Sequence, residues 1–228
     1  MGIREEVSEM KYRYALLTFA LLIAASSAAV AEEHVVGGGT PNSNNTFPFW
    51  GNYPAFRWQT MWFQYEIDEA GPITKIEWQI WSNPSGGPGG SFTGCNVLLC
   101  HTGIPAITAN FRDNYGGNTP VTAFSGTFVL PPSSADEWIT VVAPTNFDFN
   151  NRDNLLIEVS WTGGSGGVNP FKCRNAGSNP FPGRVYNSSS ATAETGLVTA
   201  NMHRYGRITV NYPAVAPTSL GRIKSLYN

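Results

Sequence analysis

Charge is the scarcest commodity in this sequence. Only 13% of its 228 residues are Asp, Glu, Lys or Arg, about half the usual share. Fourteen basic residues stand against sixteen acidic ones, a formal net charge of −2. A near-neutral chain lacks the basic footprint that nucleic acid or an anionic membrane surface requires. Cysteine is also rare, with three in all, which excludes a dense disulfide framework. Long apolar runs are missing: the one from Ala15 to Ala25 is shorter than the roughly 20 residues a bilayer span needs. The three histidines, His34, His101 and His203, fall on unrelated segments. H-E-x-x-H does not occur, so the local signature of a zinc protease is absent.

What the chain does have begins with a leader. Lys11 and Arg13 precede the apolar run, and small residues then lead to Ala29-Val30-Ala31, the pattern of a secretory cleavage site. Residues 1–31 are therefore predicted to be a signal peptide, with Glu32 as the mature start and no membrane span in the mature chain. Glu5, Glu6 and Glu9 are foreign to such a leader, which points to Met10 as the initiator. The expected destination is outside the cell or on its surface, where disulfides are permitted.

Glycine, proline and aromatic residues are plentiful: 24 Gly, 16 Pro and 13% aromatics. Residues 32–47 are polar and without period, and read as a flexible N-terminal segment. Alternation of period two begins at Phe56 and recurs over 73–81, 95–101, 121–130, 137–142, 154–161, 171–174 and 204–212. Period two marks half-buried strands. Short strands broken by Gly, Pro and Asn clusters, with no long helical period, predict an all-β protein. The expected fold is an antiparallel β-sandwich or jelly roll of about eight to nine strands over residues 48–212. Residues 213–228 read as a Pro-rich linker and a short tail, with Leu220, Ile223, Leu226 and Tyr227 at near-helical spacing.

Several pieces resemble a known module. Arg57-x-Gln59, Gly71-x-Ile73-x-x-Ile76, Val97-Leu98-Leu99-Cys100-His101-Thr102, Ser125-Gly126-Thr127, Trp138, Phe147-x-Phe149-Asn150 and Asp153-Asn154-Leu155-Leu156-Ile157-Glu158-Val159 are similar to a secreted β-sandwich module of bacterial extracellular and cell-surface proteins, of the Bacteroidetes-like and candidate-phylum type. The likeness runs from about Phe47 to Tyr212. It implies a lectin-like or adhesive sandwich.

In the stretch 57–67, alternation places Met61, Phe63, Tyr65 and Ile67 on one face and Trp58, Thr60, Trp62, Gln64 and Glu66 on the other. Trp58 and Trp62 beside polar Gln64 and Glu66 form a candidate ligand face, because an indole offers a flat apolar surface with one N–H. The opposing expectation is that a second layer covers both rings. Trp81, before the Gly-rich loop, is a further candidate, whereas Trp78 and Trp161 alternate with Ile and Val and belong to the core.

Asp148, Asn150 and Asp153 gather oxygen donors of the kind Ca²⁺ takes, but they lack the order of a calcium loop, and an Asx turn explains them more simply. No other cofactor is implied. Glu66, Asp68, Glu69, Glu77 and Glu158 are the carboxylates a glycosidase would draw on, and solvated faces and turns account for them. Cys95 and Cys100, in one straight strand, would stand roughly 16 Å apart, too far to bridge. Either Cys173 pairs with one of them, Cys95 being favoured, or all three are buried thiols.

These features predict no enzyme. Two roles stay open: a binding or adhesion module for a glycan or a surface protein, or a structural subunit that joins copies of itself through its ends and sheet edges.

Overall fold

The computed structural model describes residues 31–37, 39–81, 87–144, 146–166, 170–175, 183–199 and 202–211. The predicted leader up to residue 30 and the predicted linker and tail lie outside the described residues, as does the Gly-rich stretch 82–86. Among the described residues no helix is long and apolar enough to cross a membrane.

The architecture is all-β and antiparallel. Its strands are β1 (Ala31–Val36), β2 (Ser43–Asn45), β3 (Phe56–Trp62), β4 (Gly71–Gln79), β5 (Gly90–Thr102), β6 (Val121–Leu130), β7 (Trp138–Val142), β8 (Asp148–Phe149), β9 (Asn154–Trp161), β10 (Gly163–Gly166), β11 (Phe171–Asn175), β12 (Arg184–Asn187), β13 (Leu197–Thr199), β14 (Met202–Arg204) and β15 (Gly206–Asn211). One sheet runs β1-β15-β4-β7, with β8 also on β4. A seven-stranded sheet runs β10-β5-β9-β3-β12-β13, with β6 on β5, and a small sheet runs β14-β11-β2. The first two enclose one core: Trp58, Val97 and Ile157 of the larger sheet share a cluster with Ile76, Trp78 and Ile208 of the other. Trp58 meets Trp78 edge to face at 5.4 Å. This is the expected sandwich.

There are more strands than the periodicity predicts, and the surplus is short. Runs of two to four residues such as β2, β8, β10, β12 and β13 are too brief to show a period. The segment 32–47, expected to be flexible, carries β1 and β2, and Phe47 and Phe49 just beyond it are buried in the core. Backbone pairing holds these polar residues: β1 lies beside β15, and β2 pairs with β11.

The predicted strand over 57–67 stops at Trp62. A one-turn helix, α1 (Gln64–Ile67), follows. Glu66 folds back to accept the Phe63 N–H at 2.9 Å, and Asn154 accepts the Gln64 N–H at 3.0 Å. Asp68, at φ 53°, ends the turn in the left-handed region. Alternation therefore ceases to describe the chain after Trp62, and Tyr65, expected in the core, is 66% exposed.

Candidate functional site

The proposed tryptophan face is not a surface. Trp58 and Trp62 are both fully buried. The Trp62 indole donates to the Arg204 carbonyl at 2.9 Å, and Trp58 packs on Trp78. The two faces of β3 are reversed relative to expectation: Phe56, Trp58 and Trp62 look into the sandwich, while Arg57, Gln59 and Met61 look outward under a second cover. Bulky aromatic rings fill the wide gap between the sheets, so the face with polar neighbours in sequence is the interior. Gln64 and Glu66 sit in α1, where Gln64 donates to Asn151 at 2.6 Å and Glu66 accepts from Gly37 at 3.2 Å. Trp81 is half-buried, and its backbone N–H donates to the Pro170 carbonyl at 2.7 Å. These five residues do not form one ligand face.

The 148–153 turn is an Asx turn. The Asn150 side-chain oxygen accepts the N–H groups of Arg152 and Asp153, and its amide donates to Asp153 at 2.8 Å. Asp148 is exposed on β8. Among the described residues no three His, Cys, Asp or Glu side chains gather closely enough to hold a metal ion. Cys95, Cys100 and Cys173 are free and buried, so the favoured Cys95–Cys173 bridge is not formed. Cys173 lies on β11 of the small sheet, where its sulfur accepts from Arg204 at 3.2 Å. Burial pushes the Cys95 thiol up to about 12 and, with the nearby Glu158 charge, the Cys100 thiol up to about 11. Neither is a ready nucleophile.

The structure instead builds a site on the outer face of the large sheet. The β3–β9 register sets Gln59 directly opposite Glu158. Glu158 was expected to be solvated, yet it is 3% exposed. Arg57 grips it twice, from Nε at 2.9 Å and from Nη2 at 3.1 Å. Gln59 donates to it at 2.6 Å and the Tyr115 hydroxyl at 2.7 Å. Asn114 then donates to Gln59 at 2.8 Å and accepts the Thr108 N–H at 2.8 Å. Thr102 donates to the Asn114 carbonyl at 2.8 Å. Buried polar groups of this kind are tolerable only when their bonds are made, and here β3, β9 and the 103–120 loop make them together. An apolar patch seals the loop: Ile107 and Phe111 rest on Met61, Leu156 and Val185.

The network sets the charges. Burial works against the Arg57 cation, but the hydrogen bond and charge of Glu158 outweigh it and raise its pKa. Burial, then the Glu158 charge, raises Tyr115 far above the ordinary phenol value, so it stays a neutral donor. All four donors fall on Glu158.

Outside the network lies an open cleft of about 940 Å³. Arg57 and Tyr115 form its inner end, and Asn110, Arg112, Asp113, Asn118 and Glu194 stand around it. Gly116 and Gly117, at φ 62° and 84°, carry the backbone along one wall. A Cβ on Gly116 would come within 3.0 Å of the Thr102 hydroxyl, whereas one on Gly117 would meet nothing. Among the described residues the side chains of Arg112, Asp113 and Glu194 make no hydrogen bond. Of all these lining residues, only Arg57 falls within a motif legible in the sequence. One signal was legible: Leu156, apolar on the outward face of β9, requires that this face be covered.

No protein-family model matches the chain, and no curated protein matches it.

Proposed function

We propose that this chain is a non-catalytic extracellular binding module and that the cleft beside the 103–120 loop takes a glycan. The observation that carries this reading is the cleft's composition on a rigid base. Exposed carboxylates (Asp113, Glu194), amides (Asn110, Asn118) and a guanidinium (Arg112) surround one aromatic ring, Tyr115. Sugar hydroxyls both donate and accept, so they need paired acceptors and donors at fixed spacing, with a ring edge or face for the C–H surface. A buried, saturated network holds the inner end still, which lowers the ordering cost of binding.

The test is a glycan array on the secreted chain, followed by calorimetry with any hit. Asp113→Ala and Glu194→Ala are expected to weaken binding at least tenfold while moving stability by less than about 0.5 kcal/mol, as exposed substitutions do. An array without hits, or affinity unchanged in both variants, would sink the glycan reading.

A second reading, a subunit of an extracellular assembly, is favoured by one feature. The ten-residue β6 pairs with β5 on one side, and among the described residues nothing pairs with its other edge. Val129 there is 67% exposed. An open edge is a template for another chain's strand. Sedimentation or negative-stain microscopy that finds only monomers at high concentration would remove this reading.

A further inference from the structure

Four charged residues are buried in the described fold, and they fall into two kinds. Glu158 and Glu77 each hold an arginine, Glu77 taking Arg207 Nε at 2.7 Å. Arg184 and Arg204 hold no carboxylate. Arg184 opens β12 and is 6% exposed; its Nε and Nη1 are buried without a hydrogen-bond partner. Its guanidinium stacks over Phe47 at 4.9 Å and Tyr186 at 5.5 Å. Arg204 closes β14 and is 2% exposed, over Trp78 at 5.1 Å, Phe171 at 5.4 Å and Trp58 at 5.6 Å. It donates to the Phe47 carbonyl and to Cys173 at 3.2 Å, and its Nε is unpartnered.

Aromatic rings satisfy the flat faces of a guanidinium but not its N–H edge. Three edge donors on two neighbouring cations are thus left pointing at no acceptor. The cations also act on each other: burial first, and then the Arg204 charge, pull Arg184 down to about 10. The neighbouring sequence, residues 167–182 and 199–203, contains no Asp or Glu that would balance them. Two buried like charges with open donors call for an anion from outside the chain.

We propose that Arg184 and Arg204 together bind one small inorganic anion, of chloride or phosphate size, between the start of β12 and the three-stranded sheet. The near-complete burial of both side chains admits nothing larger. The bound ion receives the free Nε–H of each arginine and Nη1–H of Arg184, while the rings keep water away. This site is separate from the glycan cleft, which uses Arg57 on the opposite face of the sheet.

The experiment begins with the chain in sodium gluconate, whose anion is too large to enter. Sodium chloride or sodium phosphate then replaces gluconate at constant ionic strength, with thermal unfolding and calorimetry as readouts. The expected result is a saturable rise in Tm and one bound anion per chain, for chloride, for phosphate or for both. Arg184→Gln is expected to weaken that binding at least tenfold. Arg184→Met, relieved of an uncompensated charge, is expected to melt at or above the wild type in gluconate and to lose that advantage once the wild type is saturated. If Arg184→Gln does not fold, Arg184→Lys is read instead, with a severalfold loss expected because the planar fork is gone. A wild-type chain with no saturable response to either anion overturns the proposal. So does an isotherm left unchanged by every Arg184 substitution that folds.

Discussion

The two faces of the seven-stranded sheet bury charge in opposite ways. On the outer face, Arg57 is answered by Glu158, and the strands and the 103–120 loop together supply partners to that group. On the inner face, Arg184 and Arg204 are wrapped in aromatic rings, with N–H edges left open. A carboxylate and a loop make a closed, rigid base for a cleft. Rings, two carbonyls and a thiol hold two cations without a carboxylate and leave three N–H groups open. Burial is similar in the two places, so the nature of the partner, and not depth, separates a structural charge from one available to a ligand.

The largest expected effect tests the inner face. Trp58→Ala should cost about 3–5 kcal/mol in denaturant unfolding, the range for truncating a buried aromatic. A loss under about 1 kcal/mol would mean the ring is not part of the core. Next comes the outer face, where Glu158→Ala leaves Arg57 and two neutral donors unanswered, at about 3 kcal/mol. Arg57→Met with Glu158→Met should recover most of that loss, because the pair is removed whole. Failure to recover would show that Gln59 and Tyr115, and not Arg57, depend on the carboxylate. A smaller change, Trp62→Phe, keeps an aromatic ring, though a smaller one, and leaves the Arg204 carbonyl without its donor, at about 1–2 kcal/mol.

The smallest effect is a slope with pH at the end of the inner face. His101 stacks on Phe147 at 4.7 Å, and its Nε2 accepts the Asn150 N–H at 3.2 Å. Burial lowers its pKa below the ordinary 6.5, although Asp153 and the Asp148 backbone act in the other direction. The folded state thus favours the neutral ring, and the unfolded chain binds the proton first. That contribution to stability is complete above the unfolded value and is lost as pH falls through 6.5 towards the folded value. His101→Gln should flatten the stability profile between pH 7.5 and 5, as read by denaturant midpoints. An unchanged slope would assign the dependence to another group.

Much of the fold was legible because alternation is a local property. The strand Asn154–Trp161 reads from sequence with Leu155, Ile157, Val159 and Trp161 inward, and the structure keeps that assignment. For β3 the same rule puts the wrong face inside. Both of its faces are apolar enough to be covered, and alternation names two faces without saying which one meets the other sheet. Glu158 and Glu77 read as solvated for a related reason: a carboxylate in a strand carries no mark of the arginine that will meet it. Arg57 lies 101 positions from Glu158 and Arg207 lies 130 from Glu77.

By itself, the sequence determined the class of the fold. Low charge, abundant turn residues and a two-residue period leave few ways to bury these aromatics other than between antiparallel sheets. Only the tertiary structure decided which tryptophans are core, that the three thiols stay apart, and where the cleft and the unanswered arginines lie. Periodicity acts between neighbours along the chain, whereas a partner for a buried charge comes from whichever strand the register brings alongside.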